Sequence, residues 1–293
     1  MTRRNGFREA ISQENPLQII GTINAISALM AKQAGFKAIY LSGAGVANAS
    51  FGLPDLGMTT RTEVLEDARR IIDRVDLPLL VDIDTGWGDA LNIARTIRDM
   101  IQAGVSAVHM EDQISAKRCG HRPNKQVVEM DEMVDRIKAA VDARTNENFI
   151  IMARTDALAK EGLSATIERI MHYIEAGADM IFFEGVRELS EYSALTFQCP
   201  VPVLANITEF GVTPLFTVKE LQNVGIQLIL YPLSAMRAMN FAASTIYKNI
   251  KQNGTQKNLL SQMQTRDELY QLLNYYAYEK KLDQLFEREK DSE

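Results

Sequence analysis

The sequence predicts an α/β fold, a TIM-type (β/α)8 barrel with a C-terminal helical extension. Three observations carry this. About eight short apolar runs recur, each followed by a helical pattern. The runs are apolar on both sides of the alternation, as parallel strands buried on both faces are. One phrase also recurs where a helix gives way to a strand: Gln33-Ala34-Gly35, Gln102-Ala103-Gly104 and Glu175-Ala176-Gly177, with Asn223-Val224-Gly225 as a looser fourth. In each, the glycine predicts a left-handed cap that ends the helix.

The elements follow in order. Residues 17–23 read as the first strand and 25–34 as its helix; 38–41 is the second strand. The helix at 62–74 is opened by threonines with Glu63 in its first turn. Strands at 79–82, 106–110, 149–153 and 180–183 alternate with helices at 90–103, 130–143, 163–176 and a weaker one at 188–195. Strands at 201–205 and 226–230 lead into helices at 218–223 and 234–251. A doubly wound open sheet is the competing fold. It loses ground because no Gly-x-Gly-x-x-Gly follows the first strand and no Walker A loop is present. Residues 1–293 therefore read as one domain, with a tail at about 265–287. That tail places Leu269, Leu272, Leu273, Tyr276, Leu282 and Leu285 at helical spacing, an apolar stripe that must be covered by the barrel or by a partner subunit.

Composition narrows the function. Hydrophobic residues make up 46% and charged residues 24% of the 293-residue chain, enough for a large core. The net charge is −6 and no Lys/Arg-rich block occurs, which argues against nucleic acid as a partner. No apolar run is long enough to span a bilayer. Residues 1–10 are charged without an apolar stretch behind them and do not read as a secretion signal. Cys119 and Cys199 are too few for a disulfide framework. A cytoplasmic location is the expectation. Cys199 reads as a small buried hydrophobe.

Cys119 is different. The segment Lys117-Arg118-Cys119-Gly120-His121-Arg122-Pro123-Asn124-Lys125 crowds basic side chains around one thiol. Nearby positive charge favours the thiolate. A basic loop in an acidic chain points to an anionic small molecule. Polar residues also gather where successive predicted strands end, the catalytic face of such a barrel. They are Ser42-Gly43-Ala44-Gly45, Asp82 and Asp84, Glu111-Asp112, Arg154-Thr155-Asp156, Glu184 and Asn206-Ile207-Thr208-Glu209.

Taken singly, each has two readings. Asp82 and Asp84 form a turn and cap, or they share a face and with Glu111 supply oxygen ligands for Mg²⁺ or Mn²⁺. Ser42 to Gly45 is a flexible turn, or its amides receive a carboxylate. Arg154 and Arg237 make surface ion pairs, or they recognise carboxylates bidentately. Asn206 and Thr208 cap a helix or bind a ligand. Trp87 lines a pocket or packs, and His109 and His172 read as structural.

The cysteine segment resembles the signature of the isocitrate lyase superfamily. The Arg122-Pro123-Asn124-Lys125 extension is similar to the 2-methylisocitrate lyase branch. So are Gly52-Leu53-Pro54-Asp55-Leu56-Gly57, Ala153-Arg154-Thr155-Asp156-Ala157, Asn206-Ile207-Thr208-Glu209-Phe210-Gly211, Tyr231-Pro232-Leu233-Ser234 and Gly254-Thr255-Gln256.

The resemblance spans about residues 7–286 and implies a homotetramer that exchanges a helix between subunits. It also implies Mg²⁺-dependent cleavage of 2-methylisocitrate, a small tricarboxylate, to pyruvate and succinate in the methylcitrate cycle of propionate breakdown. Carried onto this chain, Asp82 and Asp84 hold the metal, with Glu111 in support. Ser42, Gly43 and Ala44 hold the pyruvate end, and Cys119 and Gly120 lie over the reacting carbon. Arg154, Glu184, Asn206, Ile207, Thr208, Arg237 and Arg266 contact substrate. Cys119 would act as acid, tuned by His121 and Arg118, and Tyr40 and Asp55 are the candidates for the hydroxyl base. Two positions depart from the family pattern: Ala44 stands for a glycine and Phe183 for a proline. Isocitrate cleavage to glyoxylate and succinate is the alternative activity, followed by mutase or decarboxylase chemistry.

Overall fold

A computed structural model describes residues 6–115, 117, 118, 120 and 125–290 of the protein. Eight parallel strands close in sequence order: β1 (Leu17–Gly21), β2 (Ala38–Leu41), β3 (Leu79–Asp82), β4 (Ala107–Glu111), β5 (Ile150–Thr155), β6 (Met180–Phe183), β7 (Val203–Asn206) and β8 (Leu228–Tyr231). β1 pairs with β2 on one side, Ile19 opposite Ala38, and with β8 on the other, Leu17 opposite Leu228. The expected barrel is therefore closed, and the open doubly wound sheet is excluded.

The strands are buried on both faces, which explains their unbroken apolar runs. Leu17, Ile19, Leu80, Met152, Phe182, Leu204 and Leu228 fill the barrel. Ile39, Leu41, Val81, Val108, Ile151 and Phe183 belong instead to the cluster shared with the helices.

The helices are α1 (Gly6–Gln13), α2 (Ala25–Gln33), α3 (Gly43–Phe51), α4 (Arg61–Ile72), α5 (Ala90–Ala103), α6 (Met130–Asp142), α7 (Leu158–Glu175), α8 (Leu189–Thr196), α9 (Val218–Asn223), α10 (Ser234–Asn253), α11 (Arg266–Leu273) and α12 (Tyr275–Lys290). The recurring glycines behave as their phrase predicts: Gly35, Gly104, Gly177 and Gly225 all have φ between 79° and 105°. Thr60 and Glu63 form a reciprocal capping box at the start of α4. Gly162, at φ 79° and ψ 173°, breaks α7 one residue before the start expected at 163.

Two helices were not expected. α1 is one short piece with few apolar positions, yet Phe7 and Ala10 join the cluster inside the barrel. α3 begins at Gly43, so Ser42-Gly43-Ala44-Gly45 is the first turn of a helix and not a flexible turn. Gly43, Gly45, Asn48 and Ser50 weaken the helical signal there, but Val46 and Ala47 are buried.

The chain divides into two compact units, Met1–Met236 and Arg237–Glu293. The division falls inside α10 and not at the predicted tail. Within the second unit, α11 and α12 stack Tyr270 on Tyr275 with ring centroids 4.2 Å apart.

One backbone approach is tight enough to predict its own mutant. A Cβ on Gly21 would sit 1.7 Å from the carbonyl oxygen of Pro232. Backbone on both sides must yield, so Gly21→Ala is expected to lower stability by about 3 kcal/mol. Urea unfolding with an unchanged slope checks this.

Candidate active site

The carboxyl ends of the strands gather the charged residues that the sequence places there. Asp82 ends β3, Glu111 ends β4, Arg154 lies next to the end of β5, and Asn206 ends β7. Glu184 follows β6, and Ile207 and Thr208 follow β7. All seven are buried.

Asp82 is the floor of one half. Its Oδ2 accepts the Gly43 amide at 3.1 Å, and its Oδ1 accepts the Asp84 amide at 3.0 Å. Tyr40 directs its hydroxyl at Asp82 Oδ2 from 3.4 Å and lies 2.9 Å from His109 Nε2. Burial raises the Asp82 carboxyl, but His109, Lys117, Arg154 and the Asp84 amide outweigh it and hold the group low. Burial, together with the charge of Asp82, raises the Tyr40 phenol well above its usual range. Asp84 has φ 48°, the left-handed region that aspartate enters more readily than most residues. Burial raises its carboxyl against the opposing charge of Lys117.

Lys117 is the residue that sequence reasoning undervalued. In the sequence it is one of several charges around Cys119. Its ammonium instead pairs with Asp84 and lies 3.0 Å from Asp55. Burial alone would lower its pKa, but Glu111, Asp84, Asp82 and Asp55 raise it well above the usual lysine value. The pairing joins residues 33 and 62 positions apart, which local spacing does not reveal.

Arg154 organises the other half. Its Nε and Nη2 donate to Asp156 at 2.9 and 3.3 Å. The guanidinium also lies 3.4 Å from Glu111, 3.5 Å from Glu184 and 4.8 Å above the Phe182 ring. Glu184 accepts the Asn206 amide at 3.0 Å. Gly120 faces this pair: a Cβ there would fall 2.4 Å from Arg154 Nη2.

Ser42 and Ala44 open α3 beside Gly43, so the three proposed carboxylate-binding residues lie over the Asp82 half. Arg237 and Arg266 belong to the second unit. Cys119 and His121 lie outside the described residues.

His109, read from sequence as structural, is fully buried against Tyr40 and Phe182. Burial lowers its imidazole to about 4, against the pull of Asp82. The folded pKa is thus depressed below the usual 6.5. The stabilising contribution is present above about 6.5 and is lost as the pH falls toward 4. Relative to His109→Gln, the stability of the wild type is expected to fall by about 3 kcal/mol over that window. Denaturant unfolding of both proteins at several pH values checks this.

Among the described residues no three His, Cys, Asp or Glu side chains converge on a ready-made metal cage. Asp82 and Asp84 stand together, however, and buried Glu111 Oε1 has no hydrogen-bond partner among the described residues. A few hard oxygen donors with room for water suit Mg²⁺, which dehydrates reluctantly. The residues fit such an ion.

The phosphoenolpyruvate phosphomutase family model matches residues 7–251. A 2-methylisocitrate lyase of Shewanella oneidensis is 60% identical over 99% of this chain and 100% of its own. The chain belongs to the PEP mutase/isocitrate lyase superfamily, in its 2-methylisocitrate lyase branch. A solved superfamily structure, 2,3-dimethylmalate lyase, is 31% identical with a TM-score of 0.89, covering 97% of this chain and 96% of that one. Phosphonopyruvate hydrolase, solved with oxalate and Mg²⁺, is 28% identical with a TM-score of 0.83, covering 95% and 97%. Membership of the superfamily agrees with the barrel and with a site at the ends of its strands. No described helix is long and apolar enough to cross a membrane.

Proposed function

We propose that this protein is a carbon–carbon lyase that cleaves 2-methylisocitrate to pyruvate and succinate. The 60% identity to a full-length 2-methylisocitrate lyase carries the reading. The charged mouth built around Arg154 supports it, because a tricarboxylate needs cations and directed donors there.

The proposed roles combine these positions with the sequence resemblance. Arg154, Asn206 and Thr208 bind and orient the carboxylates of the succinate half, and Glu184 aims the Asn206 amide. The N-terminal turn of α3, with Ser42, Gly43 and Ala44, faces the pyruvate half, where helix amides favour an anion. A base takes the hydroxyl proton, the carbon–carbon bond breaks, and its electron pair stays on the succinate carbon. Tyr40, beside Asp82, and Asp55, beside Lys117, are the two candidates for that base. Cys119 then protonates the carbon, with His121 and Arg118 tuning the thiol. Mg²⁺ held by Asp82 and Asp84, with Glu111 behind them, would act as the Lewis acid that makes the substrate hydroxyl easier to deprotonate. Its choice is supported by the oxygen donors here and by the Mg²⁺ in the phosphonopyruvate hydrolase structure. Ile207, Arg237 and Arg266 are proposed substrate contacts on the sequence resemblance alone. A cytoplasmic homotetramer completes the proposal, with the exposed Tyr276, Leu282, Leu285 and Phe286 available for an interface.

The test is a turnover assay with 2-methylisocitrate and isocitrate side by side, following pyruvate, glyoxylate and succinate before and after metal removal. Preferred release of pyruvate and succinate, lost on chelation and restored by Mg²⁺, is the expected result. Equal or better cleavage of isocitrate would move the substrate assignment, since one methyl group is worth only about 1–3 kcal/mol to a pocket. Full activity after exhaustive metal removal would end the Asp82–Asp84 assignment.

A further inference from the structure

Asp156 was quoted in the sequence only as part of a motif, yet it is one of the best-connected carboxylates in the barrel. It is 2% exposed. Its Oδ2 accepts Arg154 Nε at 2.9 Å, and its Oδ1 accepts Arg154 Nη2 at 3.3 Å and Lys125 Nζ at 2.6 Å. Lys125 Nζ also donates to the Gly120 carbonyl, again at 2.6 Å. One carboxylate therefore ties together the strand-five arginine and two residues of the basic segment.

Its own position is fixed from behind. The Asp156 amide donates to Asp112 Oδ1 at 2.9 Å. Asp112 Oδ2 accepts the hydroxyls of Thr155 at 2.6 Å and Tyr173 at 3.0 Å. Arg169 on α7 donates to the Tyr173 oxygen at 3.2 Å and is itself held by Glu161. Hydrogen bonds run without a gap from the outer helix to the Gly120 carbonyl.

Such an arrangement is not explained by stability. Burying a carboxylate with two cations recovers little more than its desolvation penalty, and apolar side chains would fill the space at least as well. What it provides is fixed geometry. A guanidinium rotates freely unless its edge is held, and two bonds from Asp156 hold that edge. Lys125 is held by the same oxygen and holds the Gly120 carbonyl in turn.

We propose that Asp156 and Lys125 form a positioning clamp that sets the distance between Gly120 and the Arg154 guanidinium. Neither is a catalytic residue; both act through the groups they hold. The charge of Lys125, counted in the sequence toward the Cys119 thiol, is engaged by Asp156 and the Gly120 carbonyl. The inference rests on the reading that Gly120 and Arg154 contact substrate.

The experiment compares Lys125→Met, Lys125→Arg, Asp156→Asn and the Lys125→Met/Asp156→Asn double variant with the full-length enzyme, using 2-methylisocitrate and Mg²⁺. Lys125→Met is expected to lower kcat about 30- to 100-fold, as a misplacement of the order of 1 Å does, with a smaller change in KM. Lys125→Arg, which keeps the charge and the donors, is expected to recover most of that loss. Asp156→Asn is expected to raise KM as well, because Arg154 loses its alignment. The double variant is expected to match Asp156→Asn, since both changes release one device.

A Lys125→Met enzyme with normal kcat overturns the clamp, and so does a double variant whose losses multiply. A lowered unfolding midpoint with unchanged kcat at 25 °C also overturns it, because that pattern belongs to a purely structural ion pair. Arg154→Gln is measured alongside. If Arg154→Gln is inactive while the Lys125 variants are normal, only the clamp fails. If Arg154→Gln is itself fully active, the reading of the site fails.

Discussion

Arg154→Gln is expected to lower kcat/KM by about three orders of magnitude and to destabilise the fold by about 3–5 kcal/mol. The two effects share one cause. The guanidinium lies 3.4 Å from Glu111, 2.9 Å from Asp156 and 3.5 Å from Glu184. Its own desolvation is outweighed by those carboxylates, which raise its pKa further. Glutamine keeps two polar atoms but no charge, so Glu111, Asp156 and Glu184 would lose the cation they share, and Asp156 would keep Lys125. The proposed contact of Arg154 with a substrate carboxylate would be lost as well. The sign of the pH effect follows. Burial raises the Asp156 carboxyl, but Arg154 and then Lys125 outweigh it and hold the group below the usual range, so the stability given by the arginine is present near neutral pH and the gap between wild type and variant is expected to narrow as the pH falls through about 4. Unfolding curves above and below that value, with kcat/KM at pH 7, check all three claims. A folded variant with wild-type turnover would remove Arg154 from the reaction.

Gly120→Ala is expected to leave stability almost unchanged and to lower turnover as Arg154→Gln does. The added methyl would lie 2.4 Å from Arg154 Nη2 and 3.0 Å from two carbons of Glu184. A long side chain usually steps aside from such a contact cheaply. Here the arginine is gripped by Asp156 and faced by Glu111, so it cannot. The backbone at Gly120 must give way instead. We expect stability to change by less than about 1 kcal/mol, as for loop substitutions that break no core packing. Turnover is expected to fall about 100-fold, because the reacting groups no longer meet. Normal kcat with a depressed unfolding midpoint would show that the close approach is structural and not catalytic.

These two residues also show what was readable in the sequence. The strand ends were legible because a parallel strand is a short apolar run and the residue that leaves it is polar; β3, for example, ends at Asp82 as expected. Helix stops were legible because glycine marks them. α3 was not, since Gly43-Ala44-Gly45 carries little helical preference and is held by burial. In the site, Arg154 and Glu184 stood out by position. Lys117 and Lys125 did not, because a run of basic residues does not say which carboxylate each will meet. Asp84 and Asp55 meet Lys117, Asp156 meets Lys125, and only folding brings them near. His109 carries no motif, and its neighbours Tyr40 and Phe182 come from other strands.

Trp87 is the sole tryptophan of the chain, sits at φ 57°, and donates its indole N–H to the Thr59 carbonyl at 3.0 Å. It is therefore pinned between the segment that follows Asp84 and the segment that follows Asp55. Indole emission depends on local polarity and on nearby quenching groups. Excited at wavelengths that the nine tyrosines do not absorb, the emission comes from Trp87 alone. The protein thus carries an intrinsic fluorophore on the segment that follows the proposed metal-binding residue Asp84. Metal or substrate titrations can be followed there without a label, in the unmodified protein.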